Sequence, residues 1–210
     1  SVQISLDGSM VVGLCYYGDW PIRVWRLPQM ELITERKDIP DVHRICLSED
    51  GESLALLTGH GGIGVLNMPS LEGPPPWKAV GDVTSWTACA FSPDGRRLAT
   101  ALYSGDTFIW DLATRRRLAL PRSLSQHDSI SFSPDGTRLV AGDAQSASIF
   151  DTATGQRVIA LNLGGSQVAF TRDGNDLLAV RLDRAFMLHA PPLEQLRFDW
   201  LNSKAPEALV

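Results

Sequence analysis

The stretch FSPDGRRLAT at residues 91–100 returns as FSPDGTRLVA at residues 132–141. The Asp-Gly pair at its centre occurs five times, at Asp7, Asp50, Asp94, Asp135 and Asp173, in steps of 43, 44, 41 and 38 residues. An apolar residue precedes each pair by three or four positions. After each pair come two mostly polar residues and then an apolar run: VVGL, LALL, LATAL, LVAG, LLAV. A further landmark falls 14 to 17 residues past each Gly, at Trp25, Leu66, Trp110, Phe150 and Leu188, followed by a turn and a third apolar segment. Five copies in near-constant phase define a repeat array.

Each unit thus consists of short apolar runs separated by turn chemistry. Asp-Gly supplies the positive φ that a tight hairpin needs. In SISFS the apolar Ile130 and Phe132 stand two apart, as one face of a strand requires. No amphipathic helix competes, the last fifteen residues excepted. The expectation is all-β: four antiparallel strands per unit of about 41 residues, which is a propeller blade. The units run 1–37, 38–78, 79–121, 122–161 and 162–195, with 196–210 as a C-terminal tail.

FSPDGRRLATALYSGDTFIWDLATRRRLAL resembles the consensus of the WD-repeat β-propellers, with Trp110-Asp111 as the WD pair itself. The other units carry Trp25-Arg26, Leu66-Asn67, Phe150-Asp151 and Leu188-His189 at that place. The resemblance covers about residues 1–195. Many members open a repeat with Gly-His, whose His joins a buried polar network. The corresponding place before Phe91 holds Gly81-Asp82 and no His falls there in the other units, so the resemblance implies blades resting mainly on apolar packing. The SPDG turns resemble bacterial members, in which such repeats often follow a catalytic domain such as a serine/threonine kinase. The family usually closes with seven blades. Five units either close as a small ring or form the arc of a longer propeller, and the truncated first unit favours the arc.

Composition narrows the function. Nineteen basic against 24 acidic residues give a net charge of −5, which opposes general attraction to nucleic acid or anionic membrane. No run of 18 apolar residues is present for membrane insertion, and SVQISLDGSM lacks the features of a signal peptide, so a cytoplasmic location is expected. Cys15, Cys46 and Cys89 each lie in an apolar run without metal-ligand spacing and are read as free buried thiols.

Chemistry is sparse. GHGGIG at 59–64 lies between two strands and lacks the helix N-terminus that a phosphate loop requires. His43, His60, His127 and His189 stand at no metal-ligand spacing, and no nucleophile motif is present. No catalytic residue, cofactor or metal is expected. The family resemblance instead implies partner binding on the rim that carries the loops between second and third strands and the joints between units. Tyr16, Tyr17, Trp20, His60, Tyr103 and Arg184 belong to those loops, and Asp82, Trp86 and His127 to the joints. Tyr, Trp, Arg and His are types in which binding energy concentrates, although Trp86 and Tyr103 would equally serve to cover blade edges. The expected function is a non-catalytic scaffold for a protein or peptide partner, serving a catalytic domain in a longer chain. The alternative is an enzyme or small-ligand binder using the central channel.

Overall fold

The computed structural model describes residues 1–14, 21–81, 85–122, 127–143, 145–161, 167–180 and 185–190. Five antiparallel sheets follow one another along the chain. The first contains β1 (Val2–Ile4), β2 (Met10–Leu14), β3 (Ile22–Arg26) and β4 (Glu31–Arg36), and the second β5 (Val42–Leu47), β6 (Ser53–Thr58), β7 (Gly62–Asn67) and β8 (Trp77–Lys78). The third holds β9 (Trp86–Phe91), β10 (Arg97–Leu102), β11 (Thr107–Asp111) and β12 (Arg117–Ala119). The fourth holds β13 (Ser129–Phe132), β14 (Arg138–Gly142), β15 (Ala147–Asp151) and β16 (Arg157–Leu161). The fifth shows β17 (Gln167–Phe170), β18 (Asp176–Val180) and β19 (Ala185–His189). The expected fourth strand of that unit, LEQLRF, and the tail 196–210 lie outside the described residues.

Each sheet is a plain meander, because every connection is short and joins neighbouring antiparallel strands. The Asp-Gly turns explain the first connection. In each copy the Gly N–H donates to the carbonyl of the Ser or Thr three residues earlier, as in Gly95 to Ser92 at 2.9 Å and Gly136 to Ser133 at 2.8 Å. Only the Gly takes positive φ, 67° at Gly95 and 68° at Gly136. The turn is therefore a type I turn closed by a left-handed Gly rather than a two-residue hairpin. The Ser or Thr hydroxyl donates to the Asp carboxylate, for example Ser92 to Asp94 at 2.5 Å, and the same oxygen accepts the backbone N–H two residues on. These bonds hold the Asp carboxyls below their usual range, that of Asp7 at about 2.

First strands pack on first strands, β1 on β5, β5 on β9, β9 on β13 and β13 on β17, so they form the inner wall around an axis. The cores lie between sheets. Val12, Leu14 and Ile22 meet Ile45, Leu54 and Leu56 between the first and second. Ala55, Leu57 and Ile63 meet Leu98 and Trp110 between the second and third. Ala99, Ala101 and Ile109 meet Phe132 and Leu139 in the next junction, and Val140 and Ile149 meet Val168 and Leu177 in the last. Each fully buried Leu contributes on the order of 1.5–3 kcal/mol. Five sheets thus share four cores, and among the described residues no comparable core joins the fifth sheet to the first.

Two arginines clasp neighbouring sheets. Arg97 donates to the carbonyl of Gly136 at 2.8 Å, and Arg138, at the equivalent place one unit later, donates to Gly174 at 2.6 Å and to Ala190. Arg138 is buried over the Phe170 ring. Burial pulls its guanidinium down from the ordinary arginine range.

Candidate functional site

The loops between second and third strands and the joints between sheets fall on the rim opposite the Asp-Gly turns, because the strands alternate in direction. Two of these loops are described around the junction of the second and third sheets. The β6–β7 loop, Gly59–Gly61, is clamped from below: the Gly61 carbonyl accepts from Ala79 and Val80, and the Gly59 N–H donates to Asp41. A Cβ at Gly59 would come within 2.3 Å of an Asp41 carboxylate oxygen and 2.8 Å of the His43 ring, so only glycine allows this approach. His60 projects from the loop with its side chain 83% exposed, its Nε2 3.7 Å from one Asp41 oxygen. The other Asp41 oxygen lies 3.0 Å from His43 Nε2. Asp41 itself sits at a positive φ of 58°, a conformation Asp tolerates.

The β10–β11 loop carries Tyr103, 64% exposed. Its N–H donates to the Ser85 carbonyl at 3.1 Å. Beside it Ser104 donates to Asp106 at 2.6 Å, and Arg122 donates twice to the Ser104 carbonyl while pairing with Asp106 at 3.4 Å. The start of β9 ties the two loops together. Trp86 Nε1 donates to the Thr58 carbonyl at 2.7 Å, and Ser85, next to it, receives the Tyr103 N–H.

Trp86 and His127 therefore do not lie on a contact surface, contrary to expectation. Trp86 is 2% exposed because its indole fills the junction between the second and third sheets. His127 is 3% exposed: its Nδ1 is hydrogen-bonded to Thr107 Oγ1 at 2.9 Å, and its carbonyl accepts from Thr87 at 2.6 Å. Burial lowers its pKa, against the opposing charges of Asp143 and Asp128. With Trp110 Nε1 donating to Thr100 Oγ1 at 2.9 Å, the third sheet and its junction carry a buried polar network after all. Counting back from each Asp-Gly turn to a Gly-His place missed it, because this His follows the third unit at the joint. Tyr16, Tyr17, Trp20, Asp82 and Arg184 lie outside the described residues. Of the nine candidates, His60 and Tyr103 are exposed on one rim. Asp41 and His43, at the start of β5, and Arg122, past β12, are their neighbours from other segments, which spacing along the chain does not reveal.

Cys46 and Cys89 are free thiols, one buried and one half-buried, in the same core. A hydrogen bond that the Cys46 thiol donates to Cys89, together with burial, pushes Cys46 well above its ordinary pKa. On the opposite rim, a cavity of about 300 Å³ opens among the Asp-Gly turns of the first and second sheets, with Arg172 of the fifth reaching the same space. Asp7, Glu49 and Asp50 contribute its carboxylates. Among the described residues no group of three or more His, Cys, Asp or Glu could hold a metal ion, and no helix is long and apolar enough to cross a membrane.

Comparison with known proteins places this geometry. WD repeat-containing protein 1 of Gallus gallus is 35% identical over 101 residues, 44% of this chain, and its Mus musculus counterpart matches equally. The fold is a β-propeller of the WD-repeat type. The chain spans 17% of the length of those relatives. Among solved structures, hydrazine synthase of Kuenenia stuttgartiensis superposes with a TM-score of 0.72 over 90% of this chain and 70% of its own, at 16% identity, a likeness of fold alone. No family model matches this chain.

Proposed function

We propose that this propeller is a non-catalytic interaction scaffold that holds a protein or peptide partner on the rim bearing His60 and Tyr103. The observation that carries the reading is the pairing of exposure with rigidity. His60 and Tyr103 stand in solvent, yet their loops are tied to one strand through Trp86 and Ser85. An exposed aromatic on a fixed loop gives contact area without a large ordering cost on binding. In a longer chain such a rim would serve a catalytic domain, and a cytoplasmic setting agrees with the free thiols.

The test is affinity capture with the purified chain and with a His60→Ala, Tyr103→Ala double variant, both checked for equal thermal stability. A partner held by the wild type and lost by the variant supports the rim. A partner retained at equal yield moves the binding surface elsewhere. The cavity among the Asp-Gly turns favours a second reading, small-ligand binding at the channel mouth. There Asp50→Asn would abolish a ligand-induced rise in melting temperature that the rim variant keeps.

A further inference from the structure

The second and third sheets meet across two cysteines. Along β5 successive side chains alternate between junctions: Ile45 enters the core shared with the first sheet, Cys46 the core shared with the third. Along β9 the alternation repeats, with Ala88 and Ala90 turned to the fourth sheet and Cys89 and Phe91 to the second. Cys46 and Cys89 therefore face each other from adjacent first strands that pack directly together. Arg44, on the same side of β5 as Cys46, bonds the Trp86 carbonyl at 3.4 Å and ties the two strands near their starts. The two sulfurs are in hydrogen-bond contact, and the Phe91 N–H donates to that of Cys46.

The two thiols differ in access. Cys46 is 6% exposed, whereas Cys89 is half-buried and keeps part of its surface in solvent. An oxidant arriving from solution meets Cys89 first, and Cys46 waits behind it with its proton in place. Two facing side chains in contact need only rotate about their Cα–Cβ and Cβ–S bonds to reach the covalent S–S length of about 2.05 Å.

We propose that Cys46 and Cys89 are a peroxide-oxidisable dithiol, a modification site that links the second sheet to the third. The Cys89 sulfur attacks a hydroperoxide: an S–O bond forms, the O–O bond breaks, and the Cys89 proton leaves with the departing oxygen. The Cys46 sulfur then displaces the oxygen from the Cys89 sulfenic acid. The S–S bond forms, the S–O bond breaks, and the Cys46 proton departs with that oxygen as water. The two thiols lose two electrons in all and one peroxide gains them. The link encloses residues 47–88 within the junction that Trp86 fills, and a thiol reductant reopens it. It does not depend on partner binding at the His60 and Tyr103 rim.

The test exposes the folded full chain to hydrogen peroxide, blocks the remaining thiols by alkylation, and maps its peptides by mass spectrometry without reductant. The expected result is a peptide pair joined through Cys46 and Cys89 in a monomeric chain about 2 Da lighter than the reduced one. Its melting temperature should rise by about 5 °C, and dithiothreitol should reverse both changes. Cys15→Ser should leave the rate of linking within about twofold. Cys89→Ser should leave Cys46 reduced, and Cys46→Ser should stop Cys89 at a sulfenic acid that dimedone traps. Where a serine variant melts early, the alanine variant, suited to an apolar junction, replaces it. A link through Cys15, a link only between chains, or a link that forms only in urea overturns the proposal. So does a Cys46 that stays free while Cys89 is carried on to the sulfinic acid, or a chain in which neither thiol is oxidised.

Discussion

The outer faces of the first and fifth sheets and the four junctions between sheets are built from the same pattern and have opposite fates. Three residues before each Ser/Thr-x-Asp-Gly turn the chain places Val2, Ile45, Cys89, Ile130 and Val168. Val2 is 66% exposed, whereas Ile45, Ile130 and Val168 are 2%, 8% and 3% exposed. At the other end Leu178 is 39% exposed, while its counterparts Val12, Ala55, Ala99 and Val140 are fully buried. Residue type does not decide burial here. The presence of a neighbouring sheet does, because each blade has one apolar face to receive the preceding blade and one to enter the next.

The largest consequence concerns that contrast. Ile45→Ala should cost about 2–5 kcal/mol, since it leaves a cavity in the first junction. Val2→Ala should change stability by no more than about 0.5 kcal/mol. Urea denaturation of both variants measures the difference. A Val2→Ala cost approaching that of Ile45→Ala would mean that the first face is covered in solution.

A smaller effect is expected at Trp86, which closes a junction through one polar atom as well as its ring. Trp86→Phe keeps the ring in the second core but removes one of two hydrogen bonds to the Thr58 carbonyl, which still accepts from the Gly61 N–H, at a cost of about 0.5–1.5 kcal/mol. Limited proteolysis should then cut within residues 59–61 before the rest of the chain, because that loop loses its tie to β9. Uniform cutting would show that packing alone fixes the loop.

What the sequence made legible follows the same division. Turn chemistry is local, so Asp94-Gly95 and its four copies announced five units and the strands beside them. The Ser or Thr two residues before each Asp was present in all five copies and marked the hydroxyl that fixes the carboxylate. Contacts between units were not legible. Arg138 in TRLVAG has the look of a solvated strand start, and only the fifth sheet shows why it is buried. His127 and Trp86 stand in joints, where exposure is the ordinary expectation. Thr107, Thr87 and Thr58, from other strands, remove them from solvent. For the same reason the exposure of His60 and Tyr103 follows from their place in short loops, while Asp41, His43 and Arg122 beside them come from other segments and carry no such local signal.

A third comparison uses the turns after the third strands, where Met30, Leu71 and Arg115 take φ of 57°, 58° and 57° and the fourth sheet has Gly155 at 73°. Met30 is exposed on the uncovered first sheet. Met30→Gly should therefore raise stability by up to about 1 kcal/mol by removing left-handed strain. Arg115→Gly relieves the same strain but loses a stack on Trp77 worth about 0.5–1 kcal/mol, so its net effect should be near zero. Thermal melts of the pair measure the worth of that contact between neighbouring sheets. Equal stabilisation of both variants would show that the stack contributes nothing.

The smallest effect is expected from pH, through His127. Burial holds its folded-state pKa below the 6.5 of the unfolded chain, in spite of Asp143 and Asp128. Between those two values the unfolded chain binds a proton that the folded chain refuses, so stability rises with pH across this window. The contribution is complete above about pH 6.5, is lost as pH falls below it, and levels off once the folded-state value is passed. The Asp-Gly carboxylates act lower, below the ordinary Asp value of 3.8, because their pKa values are depressed by the turn hydroxyls. Denaturation midpoints at several pH values between about 7.5 and 5 should thus decline on the acid side. His127→Gln, which removes the titrating ring, should flatten most of that decline. A slope unchanged in His127→Gln would assign the acid sensitivity to other groups. The junction of the third and fourth sheets would then hold its histidine without resisting its protonation.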